Sequence, residues 1–165
     1  MKLNLLLALF LISNIDYGQL VQSKSYNVML RGLLKHDVKE IGVKQANQEN
    51  DAIFIDAREK KEYDISHIKN SIWVGYDNYS IKPLALLDKT SKIIVYCSVG
   101  YRSEIIAKKL IALGFQNSMN LYGGIFEWVN QGYPVYDLQN QVTSKVHAYS
   151  KSWGIWLNEG EKVYD

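Results

Sequence analysis

Only one cysteine, Cys97, occurs among 165 residues. A lone thiol closes no disulfide within its own chain, so it is either buried and inert or kept for its reactivity. Neither sign of charge dominates: 19 Lys and Arg are mixed with 17 Asp and Glu, for a formal charge of +2. Such a balance offers no basic stripe for nucleic acid, although small anions remain possible partners. No apolar run reaches the roughly 20 residues that a bilayer-spanning helix needs. Repeats and low-complexity tracts are also missing. What is left is the make-up of one ordinary domain, long enough to bury roughly two-thirds of its unfolded surface.

The first residues, MKLNLLLALFLISNIDYGQ, place Lys2 before an apolar core from Leu3 to Ile12 and a polar exit. This is the tripartite form of a secretory signal, expected to be cleaved and to send the mature chain to the periplasm. Gly18 suits the last position before cleavage, whereas Asp16 fits poorly two places earlier, so an uncleaved inner-membrane anchor is the alternative. With no cysteine in this segment, anchoring through a lipidated cysteine is excluded. Export leads to an oxidising space where cysteines usually pair. An unpaired Cys97 is conspicuous there.

Residues 1–19 are thus read as the signal, 20–137 as the domain and 138–165 as a C-terminal extension. Tyr26, Val28, Met29, Leu33, Leu34, Val38 and Ile41 are irregularly spaced, which suggests a first strand and then a short helix ending near Gly42. Ala-Ile-Phe-Ile at 52–55 and Ile-Ile-Val-Tyr at 93–96 are short and continuously apolar, the mark of parallel strands covered on both faces. Ile106, Leu110 and Leu113 lie at i, i+4 and i+7 of a helix opening near Ser103 and capped by Gly114. A strand over 118–122 and a helix over 124–131 follow. Strand and helix in alternation predict an α/β fold, a central parallel β-sheet flanked by helices on both faces. Val146, His147, Tyr149, Trp153, Ile155, Trp156 and Leu157 make the extension too aromatic for a disordered end, so it is expected to pack on the domain.

Cys97 falls at the C-terminal end of the second buried strand, where open α/β sheets place their ligands. Ser98, Val99, Gly100, Tyr101 and Arg102 then turn the chain before a helix at Ser103, and Gly100 permits a positive φ. Backbone N–H groups of such a turn and of the helix start converge on one point above the sulfur. The helix dipole and Arg102 both favour thiolate over thiol. As a strand-end cysteine alone, Cys97 would pass for core; the pattern Cys-x-x-Gly-x-Arg-Ser between strand and helix marks it as a nucleophile.

Five segments in order carry a resemblance: Phe54-Ile-Asp-Ala-Arg-Glu59, Glu62-Tyr-Asp-Ile-Ser-His-Ile68, Val95-Tyr-Cys-Ser-Val-Gly-Tyr-Arg-Ser103, Gly114-Phe115 and Leu121-Tyr-Gly-Gly-Ile-Phe-Glu-Trp-Val-Asn-Gln-Gly-Tyr-Pro-Val135. Together they resemble the rhodanese family of sulfurtransferases. The resemblance implies that Cys97 carries a sulfane sulfur as a persulfide, taken from a small donor such as thiosulfate and passed to cyanide or a thiol, including a protein thiol. It implies no metal and no organic cofactor. A persulfide carrier or non-catalytic binding module is the alternative. Phosphatases acting on phosphoprotein share this fold, but five residues separate cysteine from arginine in that branch, and four do here. The chain departs from the family's pattern at Ser66, where a glycine is common, and at Lys69-Asn70, where Pro-Gly is common. Ser98, Val99 and Tyr101 carry no charge, so the preference of relatives with basic loops does not transfer.

Several residues have two readings. Asp56 and Arg58 either support the site or form a structural ion pair. His67 is a candidate proton donor or a structural histidine. Arg102 offers a planar fork for an oxyanion, or else pairs with an acid such as Glu104 or Asp56. Trp73 and Trp128 either wall a pocket or fill the core, and Tyr101 sits at the mouth of the loop.

Overall fold

A computed structural model describes residues 20–165; the expected signal, residues 1–19, lies outside the described residues. Along the chain come α1 (Lys24–Leu33), β1 (Glu40–Ile41), α2 (Val43–Ala46), β2 (Ile53–Asp56), α3 (Lys60–Ile65), β3 (Ile72–Trp73), β4 (Ile93–Tyr96), α4 (Tyr101–Ala112), β5 (Ser118–Leu121) and α5 (Gly124–Asn130). The first five strands form one parallel sheet in the order β1-β5-β4-β2-β3. β4 is central, and all four of its residues are buried. Successive strand side chains point to opposite faces. Ile94 and Tyr96 therefore join Leu30, Val43, Ile125 and Phe126 on one face. Ile93 and Val95 join Ile106, Ala107 and Leu110 of α4 on the other. Both faces being covered accounts for the unbroken apolar run. Burial of each such side chain contributes about 1.5–3 kcal/mol.

Two local expectations are corrected. The segment after residue 20 begins with a helix and only then forms a strand, the reverse of the predicted order. Ser23 caps α1 by accepting a hydrogen bond from the Tyr26 N–H at 3.3 Å, and Tyr26 and Leu30, one helical turn apart, are the buried pair. Tyr26, Met29, Leu30 and Leu33 follow the i, i+3, i+4, i+7 spacing of a helix, and the exposed Val28 is what makes the apolar positions look irregular. Gly42 precedes α2 and does not end a helix. The second correction concerns α4, which opens at Tyr101, two residues before Ser103, with Gly100 at φ +120° as the residue preceding it. Leu113 lies past the helix end and is half exposed; Gly114, at φ +97°, makes the turn.

Residues beyond 131 fold back. β6 (Val135–Tyr136) pairs with β7 (Val142–Thr143), and β8 (Lys145–His147) pairs with β9 (Glu161–Val163), with α6 (Lys151–Gly154) between the latter two. Val146, Ala148 and Leu157 enter the same core as Tyr26 and Val129. Trp156 stacks on Tyr26 with ring centroids 5.3 Å apart. The aromatic extension is thus an integral wall of the domain. Among the described residues, no helix is long and apolar enough to cross a membrane.

Candidate active site

β4 delivers Cys97 to the C-terminal edge of the sheet, and the loop to α4 folds around its sulfur. The Gly100 N–H donates to Sγ at 3.1 Å. The conformation depends on where the loop's carbonyls go. Cys97 O accepts from the Ile125 N–H at 2.9 Å and Ser98 O from the Phe126 N–H at 3.1 Å, so both are directed into the first turn of α5. In a trans peptide the following N–H points the opposite way. The amides of Ser98 and Val99 therefore face away from α5. Gly124 makes this contact possible: a Cβ there would lie 2.4 Å from Cys97 O. Gly100 O is held by Asn120 Nδ2 and by the Glu104 N–H, both at 3.1 Å. Ser103, fully buried, hydrogen-bonds Asn120 Oδ1 at 2.7 Å and so braces the loop from behind.

Arg102 pairs with neither Glu104 nor Asp56. Its Nη1 and Nη2 grip Glu62 of α3 in a bidentate pair at 2.6 and 2.7 Å, and Nη2 also reaches Ser98 Oγ at 3.0 Å. Ser98 Oγ in turn donates to Glu62 at 3.1 Å. Burial pushes the Glu62 carboxyl up, but the hydrogen bonds and charge of Arg102, with Arg58 behind, outweigh it and lower its pKa to about 2. Burial likewise works against the Arg102 cation, and the hydrogen bonds to Glu62 more than reverse it. Glu104 instead caps a chain turn, accepting from the Lys35 and His36 N–H groups at 3.0 and 2.7 Å.

Asp56, Arg58, His67, Trp73 and Trp128 do not line the pocket that holds Cys97. Arg58 and Asp56 form a fully buried ion pair at 2.6 Å, and Arg58 Nη2 also donates to Ser66 O at 2.6 Å. They tie β2 to the end of α3. His67 stacks on Tyr63, 4.1 Å between centroids, bonds Tyr63 O through Nδ1 and forms a β-bridge to Tyr136. Asn70 takes the left-handed conformation, φ +58°, so the turn usually built with glycine is made here with asparagine. Trp73 donates to Arg58 O, and Trp128 packs edge-on to Phe54 in the core; neither lines the pocket above Cys97.

That pocket has a volume of about 280 Å³. Cys97, Ser98, Val99, Tyr101 and Arg102 form its base and one side. Glu59, Tyr76, Asp77, Tyr149 and Trp153 form the rest, and the sequence reading had assigned none of these five to the site. No cluster of His, Cys, Asp and Glu suited to a metal occurs among the described residues.

Fold and site together define an α/β protein with a cysteine seated in a tight strand-to-helix loop. The family profile described as Rhodanese-like domain matches residues 42–131, more than half of the chain, and the protein belongs to that family. A tRNA uridine(34) hydroxylase of Hamiltonella defensa is 33% identical over 116 residues, 66% of this chain and 31% of that protein. The adenylyltransferase and sulfurtransferase uba4 of Ogataea parapolymorpha is 27% identical over 129 residues, 75% of this chain and 31% of its own length. The chain thus spans about a third of the length of these curated relatives. A rhodanese-related protein of Thermoplasma volcanium superposes with a TM-score of 0.53 at 28% identity, over 59% of this chain and 96% of its own. Thiosulfate sulfurtransferase of Pseudomonas aeruginosa shares the fold, with a TM-score of 0.54 at 22% identity, over 73% of this chain and 23% of its own.

Proposed function

We propose that the protein is a sulfurtransferase in which Cys97 carries a sulfane sulfur between a donor and a thiophilic acceptor. The observation that supports this reading most is the Gly100 N–H aimed at Sγ from a loop whose Cys97 and Ser98 carbonyls are turned into α5. In the first step the Cys97 thiolate attacks the outer sulfur of a donor such as thiosulfate. The new S–S bond forms as the old one breaks, and sulfite leaves with the bonding pair. The persulfide anion then sits where loop N–H groups stabilise charge. In the second step cyanide or a thiolate attacks the outer sulfur, and Cys97 leaves as the thiolate. Neither step needs a metal or an organic cofactor.

Four residues stand between Cys97 and Arg102, and Arg102 is committed to Glu62, which leaves no free guanidinium fork for a phosphate ester. We also assign the apolar run behind Lys2 to export into the periplasm. The test of the main proposal is thiocyanate and sulfite production from thiosulfate and cyanide, beside intact mass. Wild-type protein treated with donor should gain about 32 Da on Cys97, and Cys97→Ser should show neither the gain nor turnover. Turnover retained in Cys97→Ser would sink the reading. A stable persulfide without turnover would make the protein a sulfur carrier.

A further inference from the structure

Part of the pocket's lining comes from residues outside the matched family region. Tyr149 and Trp153 both line the pocket, and both belong to the C-terminal extension. Tyr149 has φ +63°, a conformation rarely adopted by bulky side chains. Burial does not account for it, because Tyr149 is 50% exposed. Its backbone is instead braced from below: the Tyr149 N–H donates to His147 Nδ1 at 3.1 Å, His147 Nε2 bonds Asp165 Oδ1 at 3.1 Å, and Asp165 also pairs with Lys61 of α3. The ring lies over the Arg102 guanidinium, 5.1 Å from its centre. Trp153 is set by α6, which Ser150 caps and which packs so tightly that a Cβ on Gly154 would come within 2.6 Å of the Tyr164 hydroxyl. A strained backbone held by three further residues is expected where a side chain must occupy one place.

The charge of the pocket argues in the same direction. Arg102 is compensated by Glu62 and covered by Tyr149, while the other two Asp, Glu, Lys or Arg residues of the lining, Glu59 and Asp77, are acids. A small dianion finds four aromatic rings, Tyr76, Tyr101, Tyr149 and Trp153, and two carboxylates around the sulfur, with no uncompensated cation among the lining residues.

We propose that the extension, through Tyr149 and Trp153, makes this site selective for sulfur donors and acceptors bearing a flat apolar group and at most one negative charge. The proposal rests on the sulfur-transfer reading and names its substrate class. The donor step is unchanged in kind: the Cys97 thiolate takes the outer sulfur of an aryl thiosulfonate, and the aryl sulfinate leaves with the electron pair.

Three donors separate size from charge: thiosulfate, a small dianion; methanethiosulfonate, a small monoanion; and benzenethiosulfonate, an aryl monoanion. The expected order of kcat/KM is benzene, then methane, then thiosulfate, with the aryl donor favoured over the methyl one about tenfold, as two ring contacts would give. Trp153→Ala and Tyr149→Ala should each bring the aryl-to-methyl ratio down at least about threefold, whereas Tyr149→Phe, which keeps the ring, should preserve it. A wild-type ratio near one, or a ratio untouched in both alanine variants, would overturn the proposal. A binding arm is independent of chemistry: Cys97→Ser should bind benzenesulfinate about tenfold more tightly than methanesulfinate. If that preference is found but no donor is turned over, the transfer reading fails and the aromatic site stands. If thiosulfate turns over as well as the aryl donor and the sulfinates bind equally, the selectivity fails alone.

Discussion

Glu62→Gln isolates the buried charge pair that, among the described residues, touches the Cys97 loop. The replacement keeps the shape of the side chain but removes the charge opposite Arg102, whose side chain is only 12% exposed, and weakens the contact with Ser98 Oγ. A carboxyl lowered from 4.5 to about 2 stabilises the fold at neutral pH by about 3 kcal/mol. That agrees with the roughly 3–5 kcal/mol usually lost when one partner of a buried pair is removed. The sign follows from the lowered pKa: the contribution is fully present above the unfolded value near 4.5 and disappears as pH falls through about 2. Urea unfolding of wild type and Glu62→Gln should therefore differ by about 3 kcal/mol near pH 7, and by less than about half of that near pH 3. The other carboxylates are common to both proteins and cancel in the difference. A gap below about 1 kcal/mol at neutral pH, or one that does not shrink on acidification, would refute the assignment of this pair as the loop's electrostatic anchor.

Two substitutions and one processing measurement probe other parts of the argument. Gly124→Ala would place a methyl 2.4 Å from Cys97 O at φ +58°, so thermal or urea denaturation should show a loss of more than about 2 kcal/mol, with sulfur transfer falling in parallel. Gly132→Ala is the control: φ is also positive, at +82°, but the added carbon meets nothing within 4 Å, so the cost should stay near 1 kcal/mol and activity should persist. Equal losses at the two sites would remove the close approach of α5 from the explanation of the cradle. Expression in a bacterium followed by cell fractionation and intact-mass measurement should find the protein outside the cytoplasm with the segment through Gly18 removed; a full-length cytoplasmic product would overturn the export assignment.

The central fold was legible because its signals are local. Continuous apolarity over 93–96 required a strand covered on both sides, and β4 is buried at every position between two separate clusters. The start of the domain was less legible because the exposed Val28 interrupts the helical set of apolar positions in α1, and a set that counts Val28 but not Leu30 looks irregular. Tyr26, Met29, Leu30 and Leu33 keep the i, i+3, i+4, i+7 spacing of a helix, and with the Ser23 cap they are the better signal. The opening of α4 lies two residues earlier than the expected Ser103 because Gly100 not only belongs to the turn but ends it. A positive φ immediately before a helix does both tasks at once.

The site divides along the same line between near and distant sequence. Cys97, Gly100 and Arg102 lie within one loop, so their spacing alone described a cradle. What neutralises Arg102 is Glu62, 40 residues earlier, and what roofs the cradle is Tyr149 and Trp153, about 50 residues later. No periodicity links residues so far apart; only the sheet order and the folding back of the extension bring them together. Ion-pair partners were sought among the nearest acids in sequence, Glu104, or on the neighbouring strand, Asp56, yet each of these was already committed to backbone or to Arg58. The consequence reaches function. A loop read by itself presents an arginine to an incoming anion, whereas the folded protein presents an arginine already paired and covered by a ring. Reaction type can therefore follow from the local motif, while substrate class depends on the long-range partners that change what the motif offers.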